Sequence, residues 1–138
     1  MSNILVDQLT GKTTDTTIDV FAGHAADSTT RTNLEQGLGK SFVSATITSN
    51  THTIQDSLNV ASLTDDGAGK TDVVFTNNMT NDDYSATASC ALSGSNMFAH
   101  LGTNTLILTS EYRCNTTTAG GTTQDYDVLC SAVHGDLA

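Results

Sequence analysis

Tyr84-Ser85-Ala86-Thr87-Ala88-Ser89-Cys90-Ala91-Leu92-Ser93 is the stretch that decides the fold. Tyr84, Ala86, Ala88, Cys90 and Leu92 alternate with Ser85, Thr87, Ser89, Ala91 and Ser93. A period of two is the signature of a pleated strand with one face on a core and the other in water. Wound into a helix, the same residues would scatter around the whole circumference and give no apolar stripe.

The pattern extends in both directions. Upstream, Val43, Ala45 and Ile47 share a face opposite Ser44, Thr46 and Thr48, and Val73 and Phe75 share another beyond the turn Asp65-Asp66-Gly67-Ala68-Gly69. Between them runs a segment with Leu58, Val60 and then Leu63, whose change of phase predicts a bulge. Downstream, Leu106, Leu108, Tyr112 and Cys114 are expected to face inward from one strand, and Tyr126, Val128, Cys130 and Ala132 from the last. About seven strands over residues 41–138, with turn signals roughly every ten residues, predict an antiparallel β-sandwich or jelly-roll-like domain. The fold class is therefore all-β.

Residues 1–40 read differently. Ile4, Val6 and Leu9 form one short alternating run and Ile18 and Val20 another, and Gly23 to Thr32 is a stretch of polar and small residues. Leu34 and Leu38 sit one helical turn apart. Strands this short bury too little surface to hold alone, so the segment is expected to be an extended N-terminal arm that docks or oligomerises.

Composition agrees with strands. Threonine and serine make up roughly a quarter of the chain, and the branched Cβ of threonine suits a half-wet pleated surface. The chain has no proline, so its turns must come from Gly, Asn, Asp and Ser. A net charge of −10 with only Lys12, Arg31, Lys40, Lys70 and Arg113 as cations argues against a nucleic-acid partner. No apolar run is long enough to span a bilayer, so no membrane insertion is expected. Met1 to Leu9 lacks the basic start and apolar centre of a signal peptide. Cys90, Cys114 and Cys130 are odd in number, match no zinc or redox spacing, and are all expected to be buried free thiols of a protein assembled in a reducing cytoplasm.

The search for chemistry returns no catalytic, cofactor-binding or metal-binding residues. Gly67-Ala68-Gly69-Lys70-Thr71 ends like a phosphate loop, but Thr64 stands where the first glycine belongs and a strand follows instead of a helix. Asp65-Asp66, Asp82-Asp83 and Asp125/Asp127 raise glycoside hydrolysis, which needs one buried carboxyl, yet all fall in turns or on solvent faces. Asp65, Asp66 and Asp72 match no calcium loop. His24, His52, His100 and His134 lie too far apart to grip a metal by local spacing. No enzymatic activity is expected. Within Ser93 to Asn104, Met97-Phe98-Ala99-His100-Leu101 is an apolar plug in a polar loop, expected either to cap one end of the sandwich or to present a contact surface.

Gln55-Asp56-Ser57-Leu58-Asn59-Val60-Ala61-Ser62-Leu63-Thr64-Asp65-Asp66-Gly67-Ala68-Gly69, then Val73-Val74-Phe75-Thr76-Asn77-Asn78-Met79 and Asp82-Asp83-Tyr84, resembles a module of tail-fibre-like virion proteins from marine tailed phages of the cyanophage type. Leu34-Glu35-Gln36-Gly37-Leu38-Gly39-Lys40-Ser41-Phe42-Val43 and the opening Ile4-Leu5-Val6-Asp7-Gln8-Leu9 are similar to the lead-in and start of such proteins. The likeness covers residues 1–92, with Phe42 where tryptophan is usual and Thr80 where proline is common. It implies a virion structural protein, a short tail fibre or tail attachment protein, anchored through residues 1–40 to other virion proteins. It also implies a homotrimer and contact with a host-surface glycan or protein. A capsid decoration protein is the alternative and a carbohydrate-binding module the next.

Overall fold

The structure, a computed structural model, describes residues 19–21, 31–33, 38–48, 50–102 and 106–135. The chain divides into two compact units, Met1–Leu38 and Gly39–Ala138. In the first, β1 (Asp19–Phe21) pairs antiparallel with β2 (Arg31–Asn33), Val20 lying opposite Thr32. The pairing uses the end of what reads in sequence as a featureless polar stretch. The expected strand at Ile4–Leu9 and the helical turn from Leu34, save Leu38 itself, lie outside the described residues.

The second unit is a β-sandwich of two antiparallel four-stranded sheets. β3 (Ser41–Thr48), β4 (Thr51–Leu58), β7 (Ser85–Ala91) and β10 (Val128–His134) form one, in the order β4-β3-β10-β7. β5 (Val60–Asp65), β6 (Lys70–Phe75), β8 (Met97–Leu101) and β9 (Glu111–Thr118) form the other, in the order β5-β6-β9-β8. No helix occurs among the described residues.

The core lies between the sheets. Val43 and Ala45 of β3 and Leu129 and Val133 of β10 face Val73 and Phe75 of β6 and Tyr112 and Cys114 of β9, all buried. Burial of each of the larger aliphatic and phenylalanine side chains among them contributes about 1.5–3 kcal/mol. Phe75, Tyr84 and Tyr112 form an aromatic cluster with ring centroids 5.4–6.3 Å apart, two of the three pairs being edge-on. The Tyr84 hydroxyl reaches the carbonyls of Leu108 and Glu111 at 3.0 and 3.1 Å, tying the start of β7 to the β8–β9 connection.

The alternation of Tyr84 to Leu92 appears as predicted, with Ala86, Ala88 and Cys90 packed against the core. Four expectations need correction. The run through Leu58, Val60 and Leu63 is two strands in different sheets, while the predicted bulge is present in the second of them, where the β5–β6 register shifts between Val60 and Ser62. Asn59, at φ 55°, turns the chain between the two strands, and the Leu58 side chain is exposed. Asparagine holds this left-handed conformation at low cost, and its side chain bonds the backbone N–H and C=O of Asn77. The expected plug Met97 to Leu101 is the edge strand β8, paired to β9 with Phe98 opposite Thr117, and Phe98 is 59% exposed.

The last strand has the opposite phase. Leu129, Ser131 and Val133 point inward while Val128 and Cys130 are exposed, because the chain bends at Asp127 after the buried Tyr126. Cys130 is therefore on the surface, Cys90 half-buried and only Cys114 buried. The fourth correction is similar: Leu108 is exposed and Ile107 packs on the core, since the N–H of Leu108 closes a turn onto the carbonyl of Glu111.

Candidate functional site

Four connections gather at one end of the sandwich: β3–β4, β5–β6, β7–β8 and β9–β10. Between them lies a cleft of about 340 Å³, to which each connection contributes. Asn50 comes from the first, Ala68 from the second, Leu92 from the third and Thr123 to Asp127 from the fourth. Ile47 and Leu92 give it an apolar floor, and Asn50, Gln124, Asp125 and Asp127 a polar rim.

Local chemistry builds each wall. Asn50 sits at φ 61°, in the left-handed region that asparagine tolerates. In the β5–β6 turn the Asp65 carboxylate accepts from the N–H of Gly67 at 2.9 Å. Gly69 follows at φ +69°, its carbonyl taking the N–H of Thr116. Its own N–H donates to Oδ1 of Asp125 at 2.7 Å. On the other side, Oδ2 of Asp127 accepts from the N–H of Ser93 at 2.7 Å, and the N–H of Asp127 donates to the carbonyl of Ala91. The two carboxylates thus brace opposite loops with one oxygen each.

Beneath the cleft, Tyr126 is 1% exposed. Its hydroxyl lies 3.2 Å from Oγ1 of Thr71, which lies 3.0 Å from Nε2 of His52, and the His52 and Tyr126 rings meet edge-on at 5.7 Å. Burial pushes the Tyr126 phenol up to about 12. His52 belongs to one sheet and Thr71 to the other, so this chain of polar groups links the sheets below the rim.

The structure separates the other carboxylates singled out in the sequence. Asp72 holds Arg113 through two hydrogen bonds of 2.6 and 2.8 Å, and Asp66 meets the same guanidinium at 2.6 Å. That bidentate pairing holds the Arg113 pKa above its ordinary value. Asp82 and Asp83 are exposed in the β6–β7 connection. His52, His100 and His134 are not brought together, and the described residues include no group of three or more metal-ligating side chains. The N–H of Gly69, at the heart of the phosphate-loop-like string, is occupied by the protein's own Asp125.

A second hollow, about 430 Å³, lies over Phe42, Ser44, Ser89 and Cys130 on the outer face of the β4-β3-β10-β7 sheet. It has no charged lining residue, whereas the loop-end cleft brings convergent polar groups to apolar ones. Sequence reasoning touched Asp125 and Asp127 but passed over Asn50, Thr123 and Gln124, because each looks like an ordinary turn residue and the four turns are far apart in the chain. Compared with known proteins, the chain matches no family model, no curated protein and no solved structure.

Proposed function

We propose that this chain is a non-enzymatic structural protein of a tailed-phage virion, a short tail fibre or tail attachment protein. In this reading residues 1–40 dock to other virion proteins and trimerise, and residues 41–138 are displayed for contact with a host surface. The observation that carries the reading is the distinctive run from Gln55 to Tyr84, which resembles the tail-fibre-like module. That run builds β5, β6 and the β5–β6 turn, which bears one wall of the loop-end cleft. A two-sheet scaffold with four of its connections gathered at one end suits presentation of a contact surface.

Supporting the structural part of the reading, the carboxylates with defined partners serve the fold. Asp66 and Asp72 neutralise Arg113, and Asp65, Asp125 and Asp127 each hold a backbone N–H. The test is electron microscopy of phage particles with gold-labelled antibody against residues 41–138. Label at the tail is the expected result. Label over the capsid replaces the fibre reading with that of a decoration protein, and particles without label overturn the virion reading. Light scattering tests the arm: a chain whose oligomeric mass is unchanged by deleting residues 1–40 overturns its trimerising role.

A further inference from the structure

The loop-end cleft has a polarity that narrows what it can hold. Both lining residues that carry charge, Asp125 and Asp127, are acidic, and no lysine or arginine lines the space. Arg113, the cation tied to the adjoining turn, is already shared between Asp66 and Asp72. Each cleft carboxylate spends one oxygen on a loop N–H, and its second oxygen has no partner among the described residues. The walls therefore offer two spare anionic acceptors braced in place by the backbone.

The rest of the lining refines the ligand class. Asn50, Thr123 and Gln124 supply side-chain amides and a hydroxyl that both donate and accept. Ile47 and Leu92 supply apolar contact at the base. Tyr126 is buried, with its hydroxyl engaged by Thr71, so the cleft presents no open aromatic face on which a neutral sugar ring would stack. About 340 Å³ is at the small end of the range for ligand pockets, room for one or two sugar rings.

We infer that this cleft binds an amino sugar: a hydroxylated ring whose ammonium group sits between the spare oxygens of Asp125 and Asp127. Its hydroxyls meet Asn50, Thr123 and Gln124, and its C–H face covers Ile47 and Leu92. For its biological setting this rests on the host-contact reading above, whereas the chemistry rests on the cleft alone. A charge-assisted contact at a half-open rim weakens with salt, because exposed charges are screened over about 10 Å at 0.1 M.

The experiment is a titration of the full chain, followed by amide NMR, with glucosamine trimer and with its fully N-acetylated counterpart. The expected result is saturable binding of the glucosamine trimer with shifts at Asn50, Gln124 and Asp127, binding that fades with added salt, and at least tenfold weaker binding of the acetylated trimer. Asp125→Asn and Asp127→Asn should each weaken binding about tenfold, equivalent to about 1.4 kcal/mol, while Asp56→Asn, an exposed carboxylate outside the cleft, should not. Equal binding of the two trimers overturns the inference, and that comparison needs no variant to fold. So does binding of lysine amide or calcium as tight as that of the glucosamine trimer, or shifts that map away from the cleft. Failure here leaves the particle-labelling result untouched, so the two readings fall separately.

Discussion

The Tyr112 hydroxyl lies 2.7 Å from Oγ of Ser131, fully inside the sandwich, and joins β9 of one sheet to β10 of the other. Both residues are buried. A buried hydroxyl is favourable only while it is paired. Tyr112→Phe keeps the ring and strands the serine oxygen, so the expected loss is about 1–3 kcal/mol. Ser131→Ala strands the phenol and should cost a similar amount. The double variant should be less destabilised than the sum of the two, by about 1 kcal/mol or more. Urea unfolding of the four proteins measures this, and strict additivity would show that the bridge is energetically idle.

The three tyrosines make the fold sensitive to alkali. Burial pushes the Tyr84 and Tyr126 phenols from 10.0 up to about 12, lifts Tyr112 further in the same direction, and pushes the Cys114 thiol from 9.0 up to about 12. An acid with a raised folded pKa keeps its proton in the native state after the unfolded chain has released it. Stability from these groups is therefore complete below about pH 8, begins to decline near pH 9 as the unfolded thiol ionises, and falls further as pH climbs through 10 toward 12. Tyrosinate absorbance should rise together with loss of β-sheet circular dichroism, in one transition. A tyrosinate signal that appears while the sheet is intact would contradict the burial of at least one ring.

The cysteines should separate by access. Cys130 is exposed beside Phe42 on the outer sheet face, Cys90 is half-buried with its thiol raised by burial, and Cys114 is buried. An aromatic disulfide reagent at neutral pH should modify Cys130 first, Cys90 more slowly, and Cys114 only on unfolding. Cys130→Ser should remove the fast phase and leave the melting temperature nearly unchanged. A fast phase that survives this substitution would mean that β10 faces the other way.

That phase of β10 also shows where sequence reading reaches its limit. Alternation is dependable within a strand, as in Tyr84 to Leu92, because each pleat repeats the last. It does not pass through a bend, and the turn of the chain at Asp127 moved every inward assignment from Val128 onward by one residue. β8 was hidden for another reason. As an edge strand it buries Met97, Ala99 and Leu101 only partly and leaves Phe98 and His100 in water, so its composition resembles a loop between Gly94 and Gly102. The two-sheet architecture was legible because β3, β6 and β7, the last itself at a sheet edge, alternate cleanly in sequence. The cleft was not, since Asn50, Leu92 and Asp127 meet only through tertiary packing.

Gly69 tests whether the cleft wall depends on close backbone approach. A Cβ there would sit 2.5 Å from the carbonyl oxygen of Thr116 and 2.7 Å from the backbone nitrogen of Gln124, neither of which can swing aside as a side chain would. The residue is also at φ +69°, which an alanine Cβ makes costly. Gly67, in the same turn at φ +104°, has open space around the same position. Gly67→Ala should therefore lose about 1 kcal/mol from backbone strain alone, and Gly69→Ala about 2 kcal/mol or more. The steric part has a local consequence as well. Displacing Gln124 breaks the alignment of Asp125 with the Gly69 N–H, so the amide signals of Asp125 to Asp127 should shift in Gly69→Ala and stay in place in Gly67→Ala. Equal destabilisation by the two substitutions would place the cost in the backbone angle and leave the packing of the β5–β6 turn on β9 without a role.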